Sequence, residues 1–536
     1  MTAPATALPR TTRRPRERAV AVELAGLGAA LALALAAVAH LCLTPRAWIL
    51  FSDADSVLLP MMRASRAVGE PQQWALSSVL FLPERVLYDA TAALGLGVRA
   101  SLAIDAVANL VLLYGCFRLV AALLRRGSRA AAVAASVAAF AAFAAFTLLD
   151  SSAAWDSLEL PSLLATTTYY SATVLATVVA VGLGAAVAAG RSTRAAAVAL
   201  TVLTAASVLT NPLFVAWAVA PLAVVVALLA AVHRVPPRRA LLLGGVMGAG
   251  VVVGFVARIP FAGEIVRDAS GYADPASALG TLGYLVHHLI TRTATLEGLL
   301  SVAAIDTVLV LDALLAVRAA RAGRTASAVL LAVGVVGPIA VTAGSVLLGT
   351  AAVRYLQPVW ILPLLPLVLA PLPARVPALL KRRGIRIATA GVLTVTGVAG
   401  LGVTAATAAT PDASIGCLDA WITASGRTGA GRFETIRGPK AYLADPRHLL
   451  QVDSRLHAQE WLTDRADYAV GRVSFLVADA TTPAFATGAA GPARQVISCG
   501  RYRILDWGTA VLPVTVGGPI LPPHPPTTAD HRAAAD

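Results

Sequence analysis

The stretch Ala19–Leu43, AVAVELAGLGAALALALAAVAHLCL, indicates the fold class of the whole chain. Among its Asp, Glu, Lys and Arg positions this stretch contains a single residue, Glu23. About 20 apolar residues suffice for a helix to cross the hydrocarbon core of a bilayer. The Arg-rich segment 10–18 precedes it, as in a secretory signal peptide. However, the apolar part is longer than the roughly 7–15 residues of a signal-peptide core. Because more apolar runs follow, we expect an uncleaved signal anchor.

The composition of the chain agrees with a membrane protein. Of 536 residues, 57% are hydrophobic and 13% are charged, and the mean hydropathy is +0.74. Soluble domains are about one quarter charged, so this composition argues against a water-soluble enzyme. Aromatic residues make up 6% of the chain and are not interleaved with basic patches, so we expect no nucleic-acid partner. The net charge of +14 therefore needs an explanation at the membrane.

Apolar runs of membrane-spanning length recur along the chain, about eleven in all. They lie at 20–42, 100–122, 130–149, 168–189, 194–210, 213–232, 240–257, 298–317, 326–349, 356–373 and 387–407. We therefore predict an α-helical integral membrane domain over 20–407, preceded by a basic tail at 1–19 and interrupted by a long first outer loop at 43–98. The lipid bilayer is the first expected partner.

The basic residues orient these predicted spans, because Lys and Arg are retained on the cytoplasmic side of a membrane. With the N-terminus inside, the inner segments carry 22 basic residues and one acid, Glu17, whereas the outer segments before the C-terminal tail carry nine basic residues. An odd number of spans then places the tail outside. The sequence predicts a multi-pass plasma-membrane protein with a cytoplasmic N-terminus and an extracytoplasmic C-terminal domain.

The C-terminal tail is the most polar part of the chain. We predict a small mixed α/β domain over 408–516, with a helix at 454–469 and strands at 472–478 and 495–504. Cys417 and Cys499 are its only cysteines, and in an oxidising exterior they are expected to form a disulfide. The proline-rich end, 517–536, is expected to be disordered.

The acidic residues lie mostly on the predicted outer side, and two of them open the first outer loop in the sequence Asp53-Ala54-Asp55. One carboxylate of such a pair can accept a proton or orient an acceptor hydroxyl, while the other can hold a divalent cation such as Mg, Mn or Ca. A solvated loop start or a helix cap gives the same pattern. The rest of the loop, 58–68 and 74–94, is amphipathic, which predicts segments lying in the membrane interface. Trp74, Phe81 and Tyr88 are its expected anchors, and the loop could shape a groove for a lipid-linked substrate.

Together with the late motif Arg354-Tyr355-Leu356-Gln357-Pro358, these features resemble the C-type membrane glycosyltransferases, a superfamily of polytopic enzymes that take a sugar from a polyprenyl-phosphate carrier. The resemblance implies that Asp53 or Asp55 is the base for an inverting transfer to a cell-envelope glycan, lipid or protein. It also implies that Arg354 and Tyr355 bind the donor phosphate; interfacial snorkelling is an equally ordinary role for Arg354. Members often carry a tandem acidic pair here, so the Asp-x-Asp pattern leaves open which aspartate is the base and whether a metal is needed.

Further candidates for substrate contact lie in all three long outer segments. They are Glu84, Asp156, Glu159, His287 and His288. The adjacent histidines cannot share one helical face, so a metal site there is disfavoured. A lipid-linked-sugar flippase or a non-catalytic scaffold for envelope assembly is the alternative to an enzyme. A proton-coupled transporter is disfavoured because Asp306 and Asp312 point about 120° apart on one helix.

Overall fold

The computed structural model describes residues 15–125, 127–191, 193–266, 273–370 and 383–517. Most of the basic tail at 1–19 and nearly all of the end at 517–536 lie outside the described residues. The α-helices of the described residues are α1 (Pro15–Leu43), α2 (Ala47–Phe51), α3 (Leu58–Ala67), α4 (Leu82–Ala92), α5 (Val98–Leu124), α6 (Arg129–Thr147), α7 (Ser171–Ala188), α8 (Thr193–Thr210), α9 (Ala220–Ala231), α10 (Pro237–Ala257), α11 (Ala278–Thr293), α12 (Leu296–Arg321), α13 (Thr325–Leu347), α14 (Pro358–Ile361), α15 (Arg383–Ala409), α16 (Ala413–Ser425) and α17 (Phe433–Tyr442).

The strands are short, and most belong to the C-terminal region. They are β1 (Trp74–Ala75), β2 (Gly429–Gly431), β3 (Leu449–Gln451), β4 (Thr463–Asp464), β5 (Arg472–Val473), β6 (Phe475–Ala478), β7 (Gln495–Cys499), β8 (Tyr502–Asp506) and β9 (Leu512–Pro513). Helical turns of other types join the main elements. The 3-10 turns are Pro161–Ala165, Ile259–Phe261, Pro275–Ser277, Val353–Leu356, Leu362–Leu369, Pro446–His448, Arg465–Val470 and Gly488–Ala490, and Val215–Val219 is a π-helical turn.

The predicted apolar runs are mostly helical in the described residues. Within the described residues, 8 helical segments, which include α1, α5, α6, α7, α10, α12, α13 and α15, are long and apolar enough to cross a membrane. The other three predicted runs form shorter apolar segments, Arg194–Thr210, Val215–Ala231 and Val353–Leu369. The last of these is mainly 3-10 helix, because its prolines cannot donate the hydrogen bonds of a continuous α-helix.

Small residues let the long helices approach each other closely. Where α10 packs on α8, a Cβ at Gly250 would lie 2.8 Å from the Thr201 carbonyl oxygen, and one at Gly254 would lie 2.7 Å from that of Ala205. Only glycine allows this separation, because any side chain would collide with the neighbouring backbone. The helices of the bundle therefore pack through small residues rather than through bulky aliphatic side chains alone.

Helix α11 lies in the predicted outer segment between α10 and α12 and has two distinct faces. Leu279 and Ile290 are exposed on one face, whereas Thr281, Leu285 and Arg292 are buried on the other. A helix with one exposed apolar face and one buried face is typical of a helix that lies in a membrane interface. Its buried face packs towards the region that contains the candidate site described below.

The expected interfacial anchors of the first outer loop are buried inside the protein. Trp74, Phe81 and Tyr88 are 2%, 4% and 1% exposed, so that prediction is wrong. For Trp74 the reason is a long-range pairing: β1 runs antiparallel to β4, with Trp74 opposite Asp464 and Ala75 opposite Thr463. The loop is thus enclosed between the helical bundle and the C-terminal region.

The C-terminal region contains a five-stranded sheet with the strand order β3-β2-β6-β8-β7. β2 is parallel to β3 and β6, whereas β8 is antiparallel to β6 and β7. The Cys417–Cys499 disulfide joins α16 to β7, which confirms the predicted bond. The runs expected as strands at 472–478 and 495–504 are extended, but each is divided into two strands: β5 and β6 in the first, and β7 and the start of β8, joined by a turn, in the second.

The helix expected at 454–469 is absent from that described range. Asp453 accepts hydrogen bonds from the backbone N–H groups of Arg455 and His457, which closes a turn where the helix was expected to begin. Further along, β4 pairs with β1 and is followed by the 3-10 turn Arg465–Val470. Local side-chain hydrogen bonds and one distant strand therefore outweigh the helical propensity of this stretch.

Candidate functional site

The loop after α2, residues 52–56, is here named the aspartate loop, and it folds around the side chain of Asp53. The Asp53 carboxylate is 5% exposed. Its Oδ2 atom accepts hydrogen bonds from the backbone N–H groups of Asp55 at 3.2 Å and Ser56 at 3.3 Å, and from the Tyr169 hydroxyl at 2.8 Å. No described residue donates to Oδ1. The loop thus holds one oxygen of Asp53 firmly, and the other receives no hydrogen bond from the described residues.

The surroundings of Asp53 favour its protonated form more than those of an ordinary aspartate. Burial is the main cause and the nearby charge of Asp55 is the second, and together they raise the pKa of Asp53 to about 6. The hydrogen bond from Tyr169 opposes this rise because it stabilises the anion. A carboxylate with a pKa near neutrality is well suited to accept a proton in catalysis.

Asp55 faces a different environment and meets Arg354 across the site. Arg354 Nη1 lies 3.3 Å from Asp55 Oδ2, and the two side chains are 22% and 26% exposed, so the pair is reachable from outside. The guanidinium also lies 5.5 Å from the Trp155 ring centre and 5.9 Å from that of Tyr355. Such cation–π contacts restrict the orientation of the guanidinium. The structure thereby brings together both predicted aspartates and both predicted phosphate-binding residues.

Gln357 connects the Arg354 turn to the segment that carries Tyr169. It is fully buried, and its Nε2 donates to the Tyr169 carbonyl at 3.0 Å and to the Arg354 carbonyl at 3.1 Å. Beside it, the rings of Tyr170 and Tyr355 lie 5.9 Å apart. Three segments that are distant in sequence, the aspartate loop, 155–170 and 354–357, therefore form one cluster.

Comparisons with protein-family models, with curated proteins and with solved structures each find no match for this chain. The function is therefore argued from the side chains of the cluster. A buried carboxylate beside a partly exposed Asp–Arg pair has the chemistry to bind an anionic group and to accept a proton next to it.

The same carboxylates could also contribute to a cation site. Within the described residues, no group of three or more His, Cys, Asp or Glu side chains gathers around a common point. Asp53 and Asp55 would therefore need substrate oxygens or water to complete a coordination sphere, as magnesium sites often do. Arg354 already supplies positive charge next to Asp55, so the cluster can attract a phosphate through its own side chains.

Glu159 belongs to a buried ionic network rather than to the accessible site. Its Oε2 accepts hydrogen bonds from the backbone N–H groups of Ser151 and Ser152, both at 2.7 Å, and its Oε1 accepts from Arg292 Nη1 at 2.7 Å. Arg46 Nη1 lies 3.6 Å from the same carboxylate. With these partners Glu159 shapes the segment that carries Trp155, and we assign it a structural role.

Asp156 and His288 lie together at the edge of the cluster. His288 Nε2 is 3.7 Å from Asp156 Oδ2, and the His288 ring also packs 4.3 Å from the ring of Tyr284. His287 is exposed, and its ring lies 5.6 Å from that of His288, because adjacent residues on a helix do not share one face. Of the two histidines, His288 is thus the one that faces Asp156.

Glu84, a residue of α4, is buried against the start of α7. Its Oε1 accepts a hydrogen bond from the Ala172 backbone N–H at 3.2 Å, while its Oε2 is buried without a hydrogen-bond partner among the described residues. Burial raises the pKa of Glu84 to about 7. Ala172 lies two residues after Tyr170, so Glu84 contacts the start of α7 next to the cluster rather than the accessible Asp55–Arg354 pair.

A separate open cavity of about 530 Å³ lies between the first outer loop and the C-terminal region. Glu70, Arg447, Arg465 and Tyr468 are among the residues that line it. None of its lining residues belongs to the cluster around Asp53. The chemical case for a site consequently rests on the cluster, where charge, burial and hydrogen bonding converge, rather than on cavity size.

Proposed function

We propose that this chain is a membrane glycosyltransferase of the C-type architecture, which moves a sugar from a polyprenyl-phosphate donor to a cell-envelope acceptor. The observation that carries the proposal is the proximity of a buried carboxylate, Asp53, to a partly exposed Asp55–Arg354 pair. The cluster lies at the ends of apolar helices, where a lipid-linked donor could keep its chain in the membrane while its phosphate reaches Arg354.

In the proposed reaction, Asp53 accepts the proton of an acceptor hydroxyl. The hydroxyl oxygen then attacks the anomeric carbon of the sugar, and the bond from that carbon to the phosphate oxygen breaks. Polyprenyl phosphate leaves with the electron pair, so the configuration at the anomeric carbon inverts. Arg354 stabilises the negative charge that develops on the departing phosphate. The Trp155 and Tyr355 rings beside Arg354 offer apolar surface to the sugar.

The proposal also includes a location in the plasma membrane, with the N-terminus in the cytoplasm and the C-terminal region outside. In a variant without Cys42 and Cys116, a cysteine at Ser128 is expected to react with an impermeant maleimide only from the inner side. A cysteine at Thr481 is expected to react only from outside. Both positions are exposed. Labelling in the reverse pattern would contradict the orientation and the outer location of the cluster.

The activity itself is tested with purified protein and a panel of polyprenyl-phosphate hexoses and pentoses. The expected result is consumption of at least one donor, with release of polyprenyl phosphate and labelling of an added envelope extract. Wild-type protein that consumes no donor but moves lipid-linked sugars across a vesicle membrane would replace the enzyme with the flippase alternative. Protein that does neither would favour the scaffold.

A further inference from the structure

Helix α17 of the C-terminal region lies directly against the backbone of the aspartate loop. The Tyr442 hydroxyl donates a hydrogen bond to the carbonyl of Phe51, which ends α2 just before the loop. Gly438 approaches so closely that a Cβ at this position would lie 2.9 Å from the Ser52 carbonyl oxygen. A side chain at residue 438 would therefore push the helix away from the loop.

Arg437 makes the contact nearest to the two aspartates. Its Nε donates a hydrogen bond to the Ala54 carbonyl at 2.7 Å, in the middle of the aspartate loop. The same guanidinium donates through Nη1 to the Leu462 carbonyl and, at 3.5 Å, to the Gln451 side chain. Because these partners belong to the C-terminal region, Arg437 ties that region to the single residue between Asp53 and Asp55.

The charge of Arg437 is also placed where it acts on the two aspartates. The side chain is 0% exposed, and burial lowers its pKa to about 10, so it stays positively charged at neutral pH. The negative charges of Asp55 and Asp53 are the two strongest effects that raise the pKa of Arg437 against the effect of burial. A buried cation of this kind is costly unless nearby anions offset it, and here the anions are the proposed catalytic pair.

We propose that Arg437 is a positioning residue for sugar transfer, which holds the Ala54 carbonyl and thereby orients Asp53 and Asp55. This inference rests on the proposed function. The guanidinium also adds positive charge close to the base, which favours the ionised carboxylate that accepts the proton. The C-terminal region then completes the active site, because the aspartate loop depends on it for its geometry.

The test compares Arg437→Gln and Arg437→Lys with the wild type. We expect Arg437→Gln to lower kcat at least about tenfold, because small displacements of reacting groups are costly. Loss of the positive charge should also move the acidic limb of the pH–rate profile to higher pH. Arg437→Lys keeps the positive charge, so the acidic limb of its pH–rate profile should stay near that of the wild type. Its kcat should still be lower than that of the wild type. Arg432→Gln, at the start of the same helix, is the matched control and should leave both unchanged.

Hydrogen–deuterium exchange of the backbone amides at 53–57 supplies a readout that does not need activity. Exchange there should be faster in Arg437→Gln than in the wild type and in Arg432→Gln. Wild-type exchange together with a wild-type pH profile in Arg437→Gln would overturn the proposal. If the wild type consumes no donor, the proposed function fails and the role of Arg437 in sugar transfer fails with it. Faster exchange would then show only that Arg437 holds the loop.

Discussion

Asp53→Asn is expected to lower the rate of sugar transfer by about 10²–10⁴-fold, the usual contribution of a general base. The amide cannot accept the acceptor's proton, but it has nearly the same shape and can still accept the hydrogen bond from Tyr169. Burial already disfavours the Asp53 anion, so the neutral amide should not destabilise the fold. Transfer assays and thermal unfolding of the same preparations measure both effects.

The pH dependence of the wild type should reflect the same carboxylate. The pKa of Asp53 is raised to about 6, and only the ionised form accepts a proton. The rate should therefore rise with pH through this value and be about tenfold lower at pH 5 than on the neutral plateau. A rate that is constant between pH 5 and 7 would argue against Asp53 as the base.

Asp55→Asn should shift the pH–rate profile in the direction opposite to the shift expected for Arg437→Gln. The charge of Asp55 raises the pKa of Asp53, so its removal should move the acidic limb to lower pH. The plateau rate should also fall, because Arg354 loses the partner that orients it. Asp89→Asn is the matched control: Asp89 lies in the same outer loop but pairs with Arg66 away from the cluster. Turnover equal to the control in both Asp53 and Asp55 variants would remove the pair from the mechanism.

The helical bundle was predictable because its signal is local. Runs of apolar residues identify helices without any knowledge of their neighbours, and α1, α5 and α13 lie close to the predicted spans. The interrupted segment at 353–369 is also local, since its prolines are visible in the sequence. The sequence did not show, however, that the 3-10 turn at the start of this segment places Arg354 opposite Asp55.

The wrong predictions share a dependence on distant partners. Trp74 has the pattern of an interfacial anchor, but the pairing of β1 with β4 encloses it. β4 lies in the same stretch that was expected to be helical, so one long-range pairing accounts for both errors. Periodicity reports which face of a segment is apolar, but not whether lipid or another part of the chain covers that face.

The candidate site was predictable only in its most obvious members. Asp53, Asp55 and Arg354 stand in motifs whose chemistry can be read directly. Tyr169 stands in no such motif, and its role follows only from the hydrogen bond that the fold allows it to donate to Asp53. Arg437 has no such signal, because it lies 383 residues from Ala54 and resembles any other arginine of the tail.

A second region outside the proposed chemistry also depends on a buried arginine. Arg292 bridges two buried carboxylates: its Nη2 lies 3.0 Å from Asp150 Oδ1 and its Nη1 lies 2.7 Å from Glu159 Oε1. Arg46 is the remaining cation near them, and it donates to the carbonyls of Ser152 and Glu159. Two arginines therefore balance two carboxylates in a region that is almost fully buried.

Arg292→Met is expected to lower the free energy of unfolding by about 3–5 kcal/mol, because it leaves two buried carboxylates with a single cation. Thermal or denaturant unfolding of the purified protein measures the change. Arg472→Met, at an exposed position, is the control and should have little effect. Burial already raises the pKa of Asp150 to about 7, and losing Arg292 should raise it further. Protonation of Asp150 then removes its repulsion with Glu159. The loss of unfolding free energy should therefore be smaller at pH 5 than at pH 8. Equal stability of the two variants at pH 8 would show that this network does not hold the outer segments in place.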